Sequence, residues 1–229
     1  KVIVPKPYYI TTPIYYVNSV PHVGHALTML VCDAEARFQR FCGRDAYFLT
    51  GTDENGLKVM EAAEKAGETP IQFVDRISQG FVDCWKSLNI AYDDFIRTTE
   101  ERHSKAVQRV FEILKERDFI YLDTYEGWYD VSAETFVREG DLVDGKSPDG
   151  NEVRWVSEQN YFFRLSAFSD RLLEHINANP DFLLPEVRKN EVVSFINSGL
   201  RDISITRKNP GWGIPVPGEP DKVVYVWFD

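Results

Sequence analysis

Long apolar runs, paired cysteines and an excess of basic residues are all missing from this sequence of 229 residues. No apolar run approaches the about 20 residues that a membrane-spanning helix needs. The opening stretch KVIVPKPYY also lacks the long apolar segment of a signal peptide. We therefore expect no membrane partner and a cytoplasmic protein, or a mitochondrial or plastid protein after removal of a targeting segment.

Basic residues are fewer than acidic ones, 26 against 36, and there are only three cysteines. The formal net charge of −10 argues against a mainly electrostatic grip on nucleic acid, which needs Lys and Arg clustered along one face. A local basic patch is not excluded. The three cysteines, Cys32, Cys42 and Cys84, form an odd set without CxxC spacing. They are interpreted as reduced cysteines of the core.

Strand-like and helix-like segments alternate in the first half of the chain. YYITT and AYFLTGT have the composition of strands, and each is followed by a loop and a helical segment. This alternation predicts a parallel α/β sheet, in which ligands collect at the carboxyl ends of the strands. Residues 12–25 and 51–56 should therefore meet at one crevice.

The first predicted helix runs from about Leu27 to a stop at Gly43. Its period assigns one face to the core, and this face carries Leu30, Val31, Ala34, Phe38 and Phe41. The solvent face is assigned Asp33, Glu35, Arg37 and Arg40. A further amphipathic helix is predicted to begin at Thr69 and Pro70.

The residue composition changes after about Asp118, from predicted helices to predicted strands and turns. Short aromatic strands, FIYLDTYEGWYDV and VRWVSEQNYFFRLS, flank a turn-rich segment and indicate an inserted β-containing subdomain. ISITRKNPGWGIPVPG is too rich in Pro and Gly for regular structure, whereas KVVYVWFD is predicted to be a buried strand whose last residues again fall at a carboxyl end of the sheet. The predicted domains are 1–117, the first half of a Rossmann-like catalytic domain; 118–220, the inserted connective subdomain with its linker; and 221–229, the start of the second half.

Two of the four histidines, His22 and His25, bracket Gly24 at the predicted start of the first helix. They could share a zinc ion, although a catalytic zinc site needs a third protein ligand and none is suggested nearby. They could serve only as structural caps. They could also bind an anion, because a helix N-terminus offers unpaired N–H groups and a glycine lets a phosphate approach the backbone. The last interpretation suits nucleotidyl transfer from ATP.

Several longer segments add specificity to the short HVGH motif. TTPIYYVNSVPHVGH, ARFQRFCGRDAYFLTGTDENG, GLRDISITR, WGIPVPG and VYVWFD occur in this order. With them the chain resembles the methionyl-tRNA synthetases, a family of class I aminoacyl-tRNA synthetases, from end to end. The resemblance implies ATP-dependent activation of L-methionine and its transfer to tRNA(Met), with Mg²⁺ as a cofactor. The chain is expected to act as a monomer.

The resemblance also implies roles for individual residues. His22 and His25 would be catalytic. The residues expected to bind ATP are His22, Gly24, His25 and Arg207. The residues expected to bind methionine are Pro13, Ile14, Tyr16, Asp53 and Trp227. Within the second set, Asp53 would hold the amino group, and Trp227 would close around the thioether side chain.

Two departures from the family pattern are visible. Asn55 stands where DEHG is usual, so an ionisable group is replaced by one that can still donate a hydrogen bond. The segment from Asp118 to Arg164 has no cysteine, so no structural zinc is expected there. The chain ends before the family's Lys-rich second ATP signature, and we expect an amino-terminal part that scarcely forms adenylate alone. The alternatives are a non-catalytic nucleotide- or partner-binding fragment and another HxGH nucleotidyltransferase.

Overall fold

A computed structural model describes residues 6–130, 132 and 135–229 of the chain. The interpretation of the first five residues and the end of the predicted strand at residue 131 lie outside the described residues. Two compact units are present. The first comprises the chain up to Gln108 with Asn209–Pro215 and Asp229, and the second comprises Arg109–Lys208 and Val216–Phe228. The domain boundaries inferred from the sequence stay a prediction.

The first unit is built on a parallel sheet, as the sequence predicted. Its central strand, β3, pairs in parallel with the other three strands. The strands are β1 (Tyr8–Thr11), β2 (Tyr15–Tyr16), β3 (Ala46–Asp53) and β4 (Asp94–Arg97). The helices are α1 (Val23–Phe41), α2 (Leu57–Ala66), α3 (Pro70–Ser87) and α4 (Glu101–Glu116), the last of which continues into the second unit.

The predicted start of α3 is confirmed. Thr69 is its N-cap and accepts a hydrogen bond from the backbone of Gln72, whose side chain in turn accepts one from the Thr69 N–H. The apolar side of this helix then packs into the core of the unit, where Phe81 and Trp85 are fully buried. Cys32 and Cys84 pack against this core, but Cys42 is exposed and is not the core cysteine that the sequence suggested.

The predicted core face of α1 is wrong. Leu30, Val31, Phe38 and Phe41 are exposed, and the buried residues of this helix are Met29, Asp33 and Ala36. The burial of Asp33 is tolerated because its carboxylate accepts hydrogen bonds from Arg37 Nε at 2.7 Å and from the backbone N–H of Ala91 at 2.8 Å. The helix carries apolar side chains on two faces, so its period alone could not select the buried one.

The second unit is dominated by antiparallel pairing. A four-stranded sheet has the order β6, β5, β7, β8, and a three-stranded sheet has the order β10, β11, β9. The bounds are β5 (Ile120–Asp130), β6 (Thr135–Val137), β7 (Val153–Phe163), β8 (Ile203–Ser204), β9 (Thr206–Lys208), β10 (Pro215–Val216) and β11 (Glu219–Val224). Two helices, α5 (Ser169–Ala178) and α6 (Glu186–Asn197), and two short 3-10 segments, Glu139–Asp141 and Leu165–Phe168, complete it. The aromatic strands predicted after Asp118 are confirmed, although β5 and β7 are 11 residues each and not short as expected.

Two expectations for the carboxyl-terminal part are corrected. The segment ISITRKNPGWGIPVPG contains β8, β9 and β10, because its β-branched residues form short strands and only the glycine turns between them are irregular. The predicted strand in KVVYVWFD exists as part of β11. It pairs antiparallel with β9, with Val223 opposite Arg207, and is not a strand of the parallel sheet. The last residue of the segment, Asp229, belongs to the first unit, where its carboxylate accepts a hydrogen bond from Asn55 Nδ2 just after β3.

Among the described residues, no helix is long and apolar enough to cross a membrane. The same part of the chain contains no group of three or more His, Cys, Asp or Glu side chains that could hold a metal ion.

At the end of β5, the buried Asp130 accepts hydrogen bonds from Asn151 Nδ2 and from the Ser132 N–H, both at 2.9 Å. One side-chain and one backbone hydrogen bond thus hold the end of β5 in place.

Candidate active site

The predicted crevice forms where β1 and β3 end. The Thr12 N–H donates to the carbonyl of Leu49 at 3.2 Å, and the hydroxyls of Thr12 and Thr50 are 2.7 Å apart. Through the pairing of β2 with β3, Tyr16 lies opposite Asp53. The structure therefore confirms the predicted meeting of the two segments for Tyr15–Val17, which lie against Thr52 and Asp53.

Gly51 permits the close approach of β4 to β3. A Cβ atom at this position would lie 2.0 Å from the carbonyl oxygen of Ile96. Any larger residue here would push β3 and β4 apart next to Thr52, at the edge of the crevice. The glycine of the TGTD segment is thus required by strand packing.

His22 and His25 cap helix α1. His22 is the N-cap residue, and its Nδ1 accepts a hydrogen bond from the Gly24 N–H at 3.1 Å. His25 occupies the third helical position, and its Nδ1 accepts from the His22 N–H at 3.3 Å. The two rings are stacked with centroids 3.6 Å apart. Gly24 makes this possible, because a Cβ there would lie 3.0 Å from Cε1 of His22.

The capping bonds determine which nitrogen of each ring carries the proton. A neutral imidazole whose Nδ1 accepts a hydrogen bond must carry its proton on Nε2. Both rings can therefore donate from Nε2 while Nδ1 holds the helix start. The capping and anion-binding interpretations of the motif are compatible, since each uses a different ring nitrogen. The helix N-terminus adds partial positive charge, and its first turn, VGHA, has no acidic residue.

Two aromatic rings pack against the ring of His25. Its ring lies 4.7 Å from the ring of Tyr15 and 5.5 Å from that of Phe81, centroid to centroid. Tyr15 in turn stacks on Phe81 at 5.7 Å. Burial, with a smaller contribution from His22, lowers the pKa of His25 and so favours the neutral form of the ring. A neutral ring at a fixed tautomer is a hydrogen-bond donor with a defined direction.

Buried polar residues follow β3. Asp53, Glu54 and Asn55 are all less than a tenth exposed. Asn55 Nδ2 donates to Thr98 Oγ1 at 3.2 Å and to the Asp229 carboxylate at 2.9 Å. Burial raises the pKa of Asp229 to about 6, and the hydrogen bond from Asn55 opposes that rise. Sequence reasoning missed Glu54 and Asp229, although Glu54 stands beside a predicted site residue.

A family model described as tRNA synthetases class I (M) matches residues 8–154 and 137–229. The chain belongs to this family. It is 51% identical to the methionine–tRNA ligase of Halalkalibacterium halodurans over 98% of this chain and 36% of the relative. It is 52% identical to that of Rickettsia prowazekii over 97% of this chain and 44% of the relative. The chain thus spans about two-fifths of the length of these relatives.

Solved structures agree with this membership. The Mycobacterium tuberculosis methionyl-tRNA synthetase bound by methionyl-adenylate superposes with a TM-score of 0.91 at 49% identity, over 97% of this chain and 45% of that one. The apo form of the same enzyme superposes with a TM-score of 0.79 at 46% identity, over 97% of this chain and 43% of that one. The Rossmann-like class I fold with an inserted connective subdomain, inferred from the sequence, is confirmed.

The remaining predicted site residues of this synthetase chain differ in setting. In the first unit, Pro13 is exposed, Ile14 is half-buried and Tyr16 is 42% exposed. In the second unit, Trp227 is 74% exposed. Arg207 lies there over the ring of Tyr225 at 4.0 Å and donates to the Thr206 carbonyl at 2.8 Å. Their roles stay predictions.

Proposed function

We propose that the protein activates L-methionine with ATP and passes the methionyl group to tRNA(Met). One observation carries the proposal: two histidines of a class I synthetase chain hold a helix N-terminus through Nδ1, so that the Nε2–H group of each ring can serve as a donor to a ligand. The close relatives are methionine–tRNA ligases, and a solved relative binds methionyl-adenylate. ATP, methionine and tRNA are thus the expected substrates.

In the first step, the methionine carboxylate attacks the α-phosphorus of ATP, and the bond to the β-phosphate oxygen breaks as pyrophosphate leaves. His22 and His25 would donate hydrogen bonds from Nε2 to the phosphate oxygens as negative charge develops. The Gly24 N–H already donates to His22 Nδ1, so the proposed role of Gly24 is to let a phosphate approach the start of α1 without a Cβ in the way. Arg207 is proposed to contact ATP, and Mg²⁺ would arrive with ATP and neutralise phosphate charge.

Methionine is proposed to bind in the crevice at the end of β3. The buried Asp53 carboxylate would accept hydrogen bonds from the substrate ammonium group, and this charge-assisted contact orients the carboxylate for attack. Pro13, Ile14 and Tyr16 would line the side-chain pocket, and Trp227 would close on the thioether. In the second step, a terminal ribose hydroxyl of tRNA attacks the methionyl carbonyl, and AMP leaves.

Amino-acid-dependent ATP–pyrophosphate exchange tests the proposal on the natural protein at its full length. We expect exchange with L-methionine and at most weak exchange with leucine, valine or cysteine. Exchange driven best by another amino acid would reassign the substrate. A lack of exchange with every amino acid would favour a non-catalytic binding fragment or another nucleotidyltransferase. Action as a cytoplasmic monomer stays a prediction, and sedimentation of the purified protein tests the oligomeric state.

A further inference from the structure

Glu54, between the proposed methionine ligand Asp53 and Asn55, is a charged side chain with no exposed surface. Its Oε1 accepts hydrogen bonds from Arg97 Nε and Thr52 Oγ1, both at 2.7 Å, and its Oε2 accepts one from Thr99 Oγ1. A buried carboxylate is stable only when it is paired and hydrogen-bonded in this way. Arg97 is the cation that pairs with this buried carboxylate.

The backbone of Glu54 is held as firmly as its side chain. Its N–H donates to Thr98 Oγ1 at 2.9 Å, and its carbonyl accepts from Trp212 Nε1 at 2.7 Å. Consecutive residues of the β4 end, Arg97, Thr98 and Thr99, thus each bind Glu54. We call these three residues the β4 clamp. Arg97 is itself fixed by a second contact, from Nη2 to the Asp75 carboxylate at 2.7 Å.

We propose that the β4 clamp, and Arg97 above all, positions Asp53 for recognition of the amino group of methionine. In register, Arg97 lies opposite Thr52 on the neighbouring strand, one residue before Asp53. Glu54, on the other side of Asp53, is held through its own N–H and carbonyl, so both neighbours fix the backbone from which the Asp53 carboxylate extends. This inference rests on the proposed function, because it specifies how that site selects an α-amino acid. Arg97 is a positioning residue and does not touch the substrate.

The test compares two inhibitors that differ only in the amino group, L-methioninol and 4-(methylthio)butan-1-ol. Arg97→Met in the full-length protein should raise the inhibition constant of L-methioninol about tenfold or more, because a displaced carboxylate loses the ammonium contact. The inhibition constant of 4-(methylthio)butan-1-ol and the KM for ATP should change by less than about twofold. A general loss of fold would weaken both inhibitors and ATP together.

Arg76→Met is the matched control. Arg76 also pairs with a glutamate, Glu68, through two contacts of 2.9 Å, but half of its side chain is exposed and the pair lies on the surface. This variant should leave both inhibition constants unchanged. Arg97→Lys keeps the charge but cannot bridge Glu54 and Asp75 with a planar fork, and should have an intermediate effect.

Thr98→Val removes one clamp hydroxyl while retaining the buried pair, and it replaces Arg97→Met if that variant does not fold. It should raise the inhibition constant of L-methioninol selectively. Equal changes for the two inhibitors, or none, in folded Arg97→Lys and Thr98→Val would overturn the inference. If L-methioninol does not inhibit the unaltered protein, the proposed function itself fails. The two failures are therefore distinguishable.

Discussion

His22→Asn separates the cap that this side chain forms in the structure from the phosphate contact that we propose for it. The Nδ1 atom of His22 accepts from the Gly24 N–H at 3.1 Å and caps helix α1. An asparagine oxygen caps helix N-termini well, but the shorter side chain offers no donor at the position of Nε2. The substitution should therefore keep the cap and lose the phosphate contact, whereas His22→Ala loses both.

The expected magnitudes differ enough to be measured. Loss of the cap in His22→Ala should lower the free energy of unfolding by about 1 kcal/mol, while His22→Asn should change it by less than about 0.5 kcal/mol. Loss of one preorganised donor should lower the adenylation rate about 10²–10³-fold in both variants. His25→Gln is the counterpart at the third helical position, where a glutamine completes a capping box.

Urea unfolding and methionine-dependent ATP–pyrophosphate exchange measure the two effects separately. A His22→Asn protein that exchanges at nearly the rate of the parent would refute the role of Nε2 at the phosphate. A His22→Ala protein as stable as the parent would refute the capping role inferred from the hydrogen bonds. If neither stability nor rate changed in His22→Ala, both roles would be wrong.

Three further changes test other parts of the first unit. Tyr15→Ala should cost about 3–5 kcal/mol of stability and should raise the pKa of His25 toward its ordinary value, because burial of His25 lowers that pKa; Tyr15→Phe keeps the aromatic ring and is the control. NMR titration of His25 checks this, and an unchanged pKa in a folded Tyr15→Ala protein would contradict it. Asn55→Ala should raise the pKa of Asp229 above about 6, because a donor to its charged form is lost. Because the pKa of Asp229 is higher in the folded than in the unfolded state, the protonated carboxyl stabilises the fold at low pH, and this stability is lost as the pH rises from about 4 through about 6. NMR titration of the carboxyl and unfolding at several pH values check the sign of this pH dependence. Asp33→Ala should lower the free energy of unfolding by about 1–3 kcal/mol, because the backbone N–H of Ala91 loses its partner. A free energy of unfolding equal to that of the parent would contradict this.

Local patterns in the sequence determined much of this fold. Thr69 and Gln72 specify a helix start because both partners of the capping box lie within one turn. The alternation of strands and helices predicted the parallel sheet, and the order of the strand ends predicted the crevice near Asp53. The two aromatic strands after Asp118 were also predicted from the sequence, but not their length. These features depend on neighbours along the chain, so a reader of the sequence can find them.

Tertiary structure alone decided which of these segments meet. The buried face of α1 depends on a hydrogen bond between Asp33 and Ala91, which are 58 residues apart, and helical period carries no information about such a partner. Likewise, β11 has the composition of a strand in any sheet, but only its register against β9 shows that it runs antiparallel in the second unit. The β4 clamp on Glu54 also joins residues more than 40 positions apart. Charge burial and strand pairing are satisfied by distant partners, and those partners are known only once the chain has folded.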